Sequence, residues 1–180
     1  ACPLPLAPSH QGREDKNSRP LSLTICRLRA HPRLTTHSET SCVFKLEKRF
    51  SDEMIAHALS EDPNECCGLL AGQEGKVVKV YSATNAVHSP YRYVINPKEL
   101  LRFFNEIEWG EHQWKVIGNY HSHTHSEAYP SPTDVREAHL GPEAIYLLIS
   151  LRNLERPEIR AFHIDQAKGS ITEEPLEIVE

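Results

Sequence analysis

Apolar and polar positions follow a regular pattern only from residue 43 onward. Residues 1–42 are rich in Pro, Arg, Ser and Thr and keep neither the two-residue period of a strand nor the 3.6-residue period of a helix. We expect this segment to be a disordered N-terminal extension, although a docking arm or a translation start placed too far upstream would look the same. Residues 43–180 are expected to form a single domain, because about 140 residues suffice for one hydrophobic core.

Two segments carry the spacing of amphipathic helices. Ser51 is the predicted N-cap of the first helix, which residues 62–64 end. Asn96 is the predicted cap of the second, with Pro97 at its first position and an acidic residue at its third. The apolar stripes are Met54, Ile55, Ala58 and Leu59 in the first helix and Leu100, Phe103, Phe104 and Ile107 in the second.

Short apolar runs between these helices predict strands. Strands interleaved with helices, without a regular strand–helix–strand repeat, indicate an α/β fold with a curved mixed sheet flanked by helices. In the strand 76–82, Val78 and Val80 alternate with Lys79 and Tyr81, which predicts one exposed face. The predicted strands are 43–46, 66–71, 76–82, 116–120, 144–151 and 159–164, with an edge strand within the last ten residues and a short helix over 132–140.

Two histidines follow the strand predicted at 116–120. His121 and His123 stand at i and i+2, so both imidazoles point to the same side of an extended chain. Asp134 lies eleven residues after His123 and can join them only if the chain turns back, which the proline-rich segment 129–132 allows. Two imidazoles and a carboxylate, with one position left for water, are the ligands of a catalytic zinc site. The sequence therefore predicts one Zn²⁺ per chain at these three residues.

The spacing H-X-H-X7-S-X2-D, formed by His121, His123, Ser131 and Asp134, resembles the JAMM (MPN+) metalloprotease family. The segment that begins at Glu65, with sequence ECCGLLAG, also resembles that family, which carries a glutamate there. The resemblance covers about residues 43–180. It is closest to compact prokaryotic members, in particular the Mec-type peptidases that act on small sulfur-carrier proteins. It implies an α/β sandwich similar to that of cytidine deaminases.

The resemblance also implies roles and a substrate. Glu65 would be the general base, Ser131 would stabilise the oxyanion, and the three predicted ligands would hold zinc. Family members hydrolyse peptide or isopeptide bonds after the C-terminus of ubiquitin-like proteins. The expected substrate is therefore a small ubiquitin-like sulfur carrier, cut after its terminal Gly-Gly with release of cysteine for cysteine biosynthesis. Members of the family often form dimers, so the resemblance also allows a homodimer.

Each of these residues has a competing interpretation. Ser131 and Asp134 stand at the spacing of a helix capping box, which would explain both without a metal. Glu65 alone reads as an exposed residue at a helix–strand junction. His125 continues the histidine alternation and could replace either partner, but only His121 and His123 have the family's spacing to Asp134.

Other functions of this site remain as alternatives. The chain could deconjugate ubiquitin-like modifiers from lysines, or it could be a non-catalytic MPN scaffold or a metal-binding module. An amidohydrolase barrel shares the histidine pair but needs about 250 residues. Polyubiquitin is a poor candidate substrate, because the segment 152–157 is short and lacks the Cys and His of a second zinc site.

Charge and cysteine content narrow the setting. Residues 1–42 carry six basic and three acidic side chains, and the remainder carries 14 and 22, so the predicted domain is acidic and nucleic acid is not an expected partner. Neither a membrane span nor a signal peptide can be read from the sequence. The five cysteines, two of them adjacent at Cys66 and Cys67, argue against a disulfide framework and for a reducing cytoplasm. We expect this pair to fill the core of a strand.

Overall fold

Strands and helices follow one another from residue 44 to residue 179 in the computed structural model, which describes residues 43–180. The expectation of an N-terminal extension falls on residues 1–42, outside the described residues. The elements are β1 (Phe44–Glu47), α1 (Lys48–Glu61), β2 (Cys67–Gln73), β3 (Lys76–Ala83), α2 (Pro97–Trp109), β4 (Lys115–His123), α3 (Pro132–Arg136), β5 (Ile145–Ser150), β6 (Glu158–Asp165), β7 (Ser170–Glu174) and β8 (Leu176–Val179).

A mixed sheet of six strands, in the order β3-β2-β4-β5-β6-β7, forms the centre of the fold. Within this sheet β4 and β5 pair in parallel, and the other neighbouring strands pair antiparallel. The C-terminal half of β4, from Gly118 to His123, is buried. β1 and β8 form a separate parallel pair. The two histidines therefore end an interior strand, where neighbours on both sides fix their direction.

Helices cover both faces of this sheet. On one face α1 packs its buried Phe50, Met54 and Ala58 against residues such as Leu70 and Leu147. On the opposite face, where the side chains of His121 and His123 also lie, α2 buries Phe103 and Ile107. Full burial of one such side chain stabilises the fold by about 1.5–3 kcal/mol. The predicted α/β fold, a mixed sheet flanked by helices, is confirmed.

The prediction that Ser51 caps the first helix is wrong. α1 begins one turn earlier, with Glu47 as an N-cap that makes no side-chain capping bond, and Ser51 is buried inside the helix. Phe50 is the physical reason: it is only 5% exposed, so its burial favours helix in the turn before Ser51. Leu59, predicted to be part of the apolar stripe, is 42% exposed.

The alternation predicted for β3 is also wrong. Ala71 pairs with Lys79 but Gly72 pairs with Val77, so Val78 is a bulge that interrupts the two-residue period. Val80 therefore packs against the α1 side, whereas Tyr81 packs against the α2 side. Both faces of this strand are covered near its middle, which a count of alternating residues cannot reveal.

One smaller difference concerns the C-terminal half. α3 ends at Arg136, four residues before the predicted end of the helix. The edge strand predicted within the last ten residues is present, because β7 forms the edge of the sheet beside β6, and β8 pairs with β1. None of the helices within residues 43–180 is long and apolar enough to cross a bilayer.

Candidate metal centre and active site

The site lies where β2, β4 and α3 meet. His121 and His123 end β4, and both are buried, at 1% and 6% exposure. After His123 the chain leaves the strand and returns at Ser131, which begins α3. The first turn of that helix carries Asp134 toward the two rings. The structure thus brings together the three residues that the sequence predicts as ligands.

The ligand atoms of these residues converge on one point. Nε2 of His121 and Nε2 of His123 lie 3.2 Å apart. The Asp134 carboxylate places Oδ1 at 3.3 Å from the first nitrogen and Oδ2 at 3.3 Å from the second. Among the described residues this is the one group of three or more His, Cys, Asp or Glu side chains close enough to hold a metal ion.

Zinc fits this geometry. Two ligands at about 2.0–2.1 Å from a tetrahedral zinc ion lie about 3.3 Å apart. The three observed separations are 3.2, 3.3 and 3.3 Å. The donors also suit the ion, because imidazole nitrogen and carboxylate oxygen are common zinc ligands and three protein ligands leave a fourth position open.

His123 is oriented by its outer ring nitrogen. Nδ1 lies 2.9 Å from the Glu127 carbonyl oxygen and 3.2 Å from the Ser126 hydroxyl. A carbonyl only accepts, so Nδ1 carries the proton and Nε2 faces the group as the nitrogen available for a ligand bond. Nδ1 of His121 is buried, and no residue in the described part of the chain is its partner.

Electrostatics favour a positive charge at this point. Burial opposes ionisation of Asp134, but hydrogen bonds from His121 and His123 outweigh it and hold the pKa of Asp134 below its ordinary value. Burial lowers the pKa of His121, so this ring is neutral. For His123 burial is opposed by Asp134 and the Glu127 carbonyl, which together raise its pKa. A carboxylate anion between two imidazoles thus attracts a cation, either a proton on His123 or a metal ion.

Glu65 reaches the site through the pairing of β2 with β4. Cys67 pairs with His121, and Cys66 N–H donates to the Ser122 hydroxyl at 2.8 Å, so the same antiparallel register continues to Glu65 opposite His123. Glu65 is 5% exposed. Burial raises its pKa to about 7, His123 opposes this shift, and Asp134 adds to it. A carboxyl group with such a pKa can both accept and release a proton near neutral pH.

Ser131 and Asp134 form the capping box that their spacing predicts. Ser131 N–H donates to Asp134 Oδ2 at 2.6 Å, and Asp134 N–H donates to Ser131 Oγ at 3.2 Å. Capping and metal binding are compatible here, because the cap holds the carboxylate while Oδ1 and Oδ2 still face the histidines. The Ser131 oxygen accepts from the backbone, which leaves its own O–H free to donate.

The remaining candidates lie outside the ligand group. β4 ends at His123, so the alternation of the strand does not continue to His125. His125 is exposed, and its ring centroid lies 6.4 Å from that of Tyr91. Cys66 and Cys67 are buried free thiols, and burial raises the pKa of Cys66 to about 12. A thiol with that pKa is neither a nucleophile nor an easy metal ligand, which agrees with their predicted role as core residues.

Sequence reasoning missed three residues that support the site. Tyr93 stacks on the His121 ring with centroids 4.6 Å apart, and Asn119 Nδ2 donates to the Tyr93 hydroxyl at 2.9 Å. Asn85 is 1% exposed and donates to the Glu65 carbonyl at 2.9 Å. None of them belongs to a spaced motif, and only the proximity of Asn119 to His121 on one strand face was readable from the sequence.

An apolar groove with a volume of about 560 Å³ adjoins the centre. Leu69 and Asn119 form part of its floor, α2 contributes Leu100 and Phe104, and Tyr93 separates it from His121. Its residues come from β2, the segment 92–95 before α2, α2, β4 and the chain after α3. The centre is therefore bordered by a surface that can accommodate apolar side chains.

Comparison with known proteins agrees with this geometry. The family described as prokaryotic homologs of the JAB domain matches residues 47–165. This chain belongs to that family. The resemblance to JAMM/MPN+ proteins noted from the sequence is thereby confirmed at the level of the family, and the JAB domain contains both Glu65 and the ligand group.

Relatives of this JAB-family chain include proteins that are named as enzymes. It is 43% identical over 129 residues to the CysO-cysteine peptidase of Mycobacterium tuberculosis H37Rv, covering 71% of this chain and 85% of that protein. It is 30% identical over 119 residues to the desampylase of Pyrococcus furiosus, covering 66% and 79%. A solution structure of a Desulfitobacterium hafniense protein, 34% identical, superposes with a TM-score of 0.65 over 76% of this chain and 92% of that one.

Proposed function

We propose that this chain is a zinc-dependent peptidase that cleaves the bond after the C-terminal Gly-Gly of a small ubiquitin-like sulfur carrier and releases cysteine. The observation that carries the proposal is the convergence of His121, His123 and Asp134, with ligand atoms 3.2–3.3 Å apart, beside the buried Glu65. The relative named CysO-cysteine peptidase, at 43% identity, supports the choice of substrate. The site residues and the similarity to that relative lie in the same domain.

In this proposal each ligand side chain contributes a distinct property. His121 supplies a neutral nitrogen because burial lowers its pKa, and His123 presents Nε2 because its Nδ1 donates to the Glu127 carbonyl. Asp134 supplies the negative charge that retains a divalent cation. Zinc held there supplies Lewis acidity, which makes water acidic enough to lose a proton near neutral pH and polarises a carbonyl. Asp134 keeps its orientation because Ser131 N–H binds its Oδ2.

Glu65 moves the proton. Its carboxylate accepts a proton from the attacking water as the water oxygen bonds to the scissile carbonyl carbon, and it then donates that proton to the leaving amine as the C–N bond breaks. Such a two-way role needs a pKa near the working pH, and burial raises the pKa of Glu65 to about 7. A cation beside it would lower this value and favour the base form.

Ser131 stabilises the charge that develops on the carbonyl oxygen. Its Oγ already accepts from Asp134 N–H, which leaves the hydroxyl hydrogen available to donate to the oxyanion. Loss of one such donor typically costs about 100- to 1000-fold in rate.

The groove next to Tyr93 would hold the carrier's tail. In this proposal the tail binds in an extended conformation, and its apolar residues lie against the groove.

A second function has a specific observation in its favour. The desampylase relative, at 30% identity, suggests cleavage of a lysine isopeptide bond instead of a bond to free cysteine. The same ligands, base and oxyanion donor would serve either reaction, since only the leaving amine differs. A non-catalytic scaffold is less consistent with this chain, because all five residues of the family's pattern are retained.

Intact-mass spectrometry of a carrier distinguishes these functions. A ubiquitin-like carrier ending in Gly-Gly-Cys should lose one cysteine residue when incubated with this chain, and a zinc chelator should prevent the loss. The matched control ends in Val-Val-Cys and should remain intact, because side chains at these positions obstruct the approach of the carbonyl. Cleavage only of a carrier–lysine isopeptide conjugate would select deconjugation, and cleavage of neither substrate would contradict the proposed peptidase.

A further inference from the structure

The two histidines of the metal centre are supported in different ways. His123 donates from Nδ1 to the Glu127 carbonyl, which fixes the rotation of its ring. A bond of this kind from the outer nitrogen is the usual support of a metal-binding histidine. Within residues 43–180, Nδ1 of His121 is buried without a hydrogen-bond partner, so no described residue makes a polar contact with that edge of the ring.

An aromatic contact is present where that hydrogen bond is missing. The Tyr93 ring lies over the His121 ring with centroids 4.6 Å apart and planes inclined by 28°. Asn119 Nδ2 donates to the Tyr93 hydroxyl at 2.9 Å. Asn119 precedes His121 by two residues on β4 and is 8% exposed, so it holds Tyr93 against the same face of the sheet from which His121 projects.

The segment that carries Tyr93 is itself fastened to the site. Asn85 Oδ1 accepts from Val94 N–H at 3.1 Å, and Asn85 Nδ2 donates to the Arg92 carbonyl at 3.1 Å, so it holds both neighbours of Tyr93. The same Nδ2 donates to the Glu65 carbonyl at 2.9 Å. The buried Asn85 side chain therefore connects the segment that carries Tyr93 with the backbone at Glu65.

We propose that Tyr93 is a positioning residue for the metal centre: its ring, held by Asn119, restricts rotation of His121 and keeps Nε2 directed at the metal. The inference rests on the proposed zinc site. Rotation of the His121 ring would carry Nε2 away from Asp134, 3.3 Å distant, and binding of zinc would then have to restore that orientation. Stacking on Tyr93 removes this cost before the metal binds, as pre-organisation does for any ligand.

The test is the zinc dissociation constant of the full chain, measured by competition with a chelating dye. Tyr93→Leu removes the aromatic face and should weaken zinc binding about 10-fold, within the range seen when outer-shell partners of a metal ligand are lost. Tyr93→Phe loses the bond from Asn119 but keeps the ring and the Asn85 bonds to its two neighbours, so it should weaken zinc binding less, staying within about 3-fold of wild type. The matched control is Tyr91→Leu, because Tyr91 is 77% exposed and contacts His125 instead.

Two further readouts separate positioning from general destabilisation. The melting temperature of the metal-free Tyr93→Leu chain reports folding, and the absorption bands of its Co²⁺ form report the geometry around the ion. A changed Co²⁺ spectrum with a retained cooperative melt supports positioning. Equal zinc affinity in Tyr93→Leu and wild type would overturn the inference, and so would a loss in Tyr93→Phe as large as in Tyr93→Leu. Failure of the wild-type chain to bind zinc would instead overturn the proposed function.

Discussion

Glu65→Gln is expected to bind zinc as the wild type does and to lose turnover by about 100- to 10,000-fold. Zinc should be retained because Glu65 is not one of the three residues whose ligand atoms converge. It lies close enough to His123 and Asp134 for their charges to affect its pKa, which suits a general base beside the metal. Glutamine preserves the size of the side chain but cannot accept a proton from water. Mass spectrometry of the zinc content checks that the metal is retained, and the rate of hydrolysis checks that turnover is lost.

Glu61→Gln is the matched control for this variant. It makes the same substitution four residues earlier, at the end of α1, where the side chain is not part of the site. It should keep both zinc and turnover. If Glu65→Gln lost zinc as fully as a ligand variant does, Glu65 would have to be counted among the ligands and its role as base would fall.

His121→Ala, His123→Ala and Asp134→Ala are each expected to lose zinc and activity together. Each removal leaves two ligand side chains, and a zinc site needs at least three protein ligands for a stable catalytic centre. Asp134→Ala should be the most disruptive to the local chain as well, because it also removes the acceptor for Ser131 N–H at the start of α3.

His125→Ala serves as the control for the three ligand variants. It removes an imidazole two residues beyond His123, but this residue is exposed and outside the group of converging atoms. Its zinc content should match that of wild type. Zinc loss in His125→Ala with retention in His121→Ala would show that the histidine pair had been assigned one step out of register.

The parts of the site that depend on local structure were readable from the sequence. The strand alternation predicts that His121 and His123 share a face, and the capping-box spacing predicts the contact between Ser131 and Asp134. The structure confirms both contacts. In each case the residues lie within a few positions of one another, so backbone geometry alone determines the outcome.

Longer-range features were not readable in this way. Glu65 is 58 residues from His123, and only the antiparallel pairing of β2 with β4 brings it there, so the sequence suggested it solely through a family resemblance. Tyr93 had no signal, because its contact with His121 depends on how Asn85 folds the segment before α2. Ser51 misled because burial of Phe50 outweighed the preference of a serine for the cap.

The most direct test of the central claim is a zinc titration of the metal-free chain, followed by hydrolysis of whichever carrier substrate it cleaves. Activity should be absent without metal, rise in proportion to added zinc, and reach its plateau at one ion per chain, as a single group of His121, His123 and Asp134 requires. Full hydrolysis by the metal-free chain, or a plateau unrelated to zinc bound at these residues, would contradict the account.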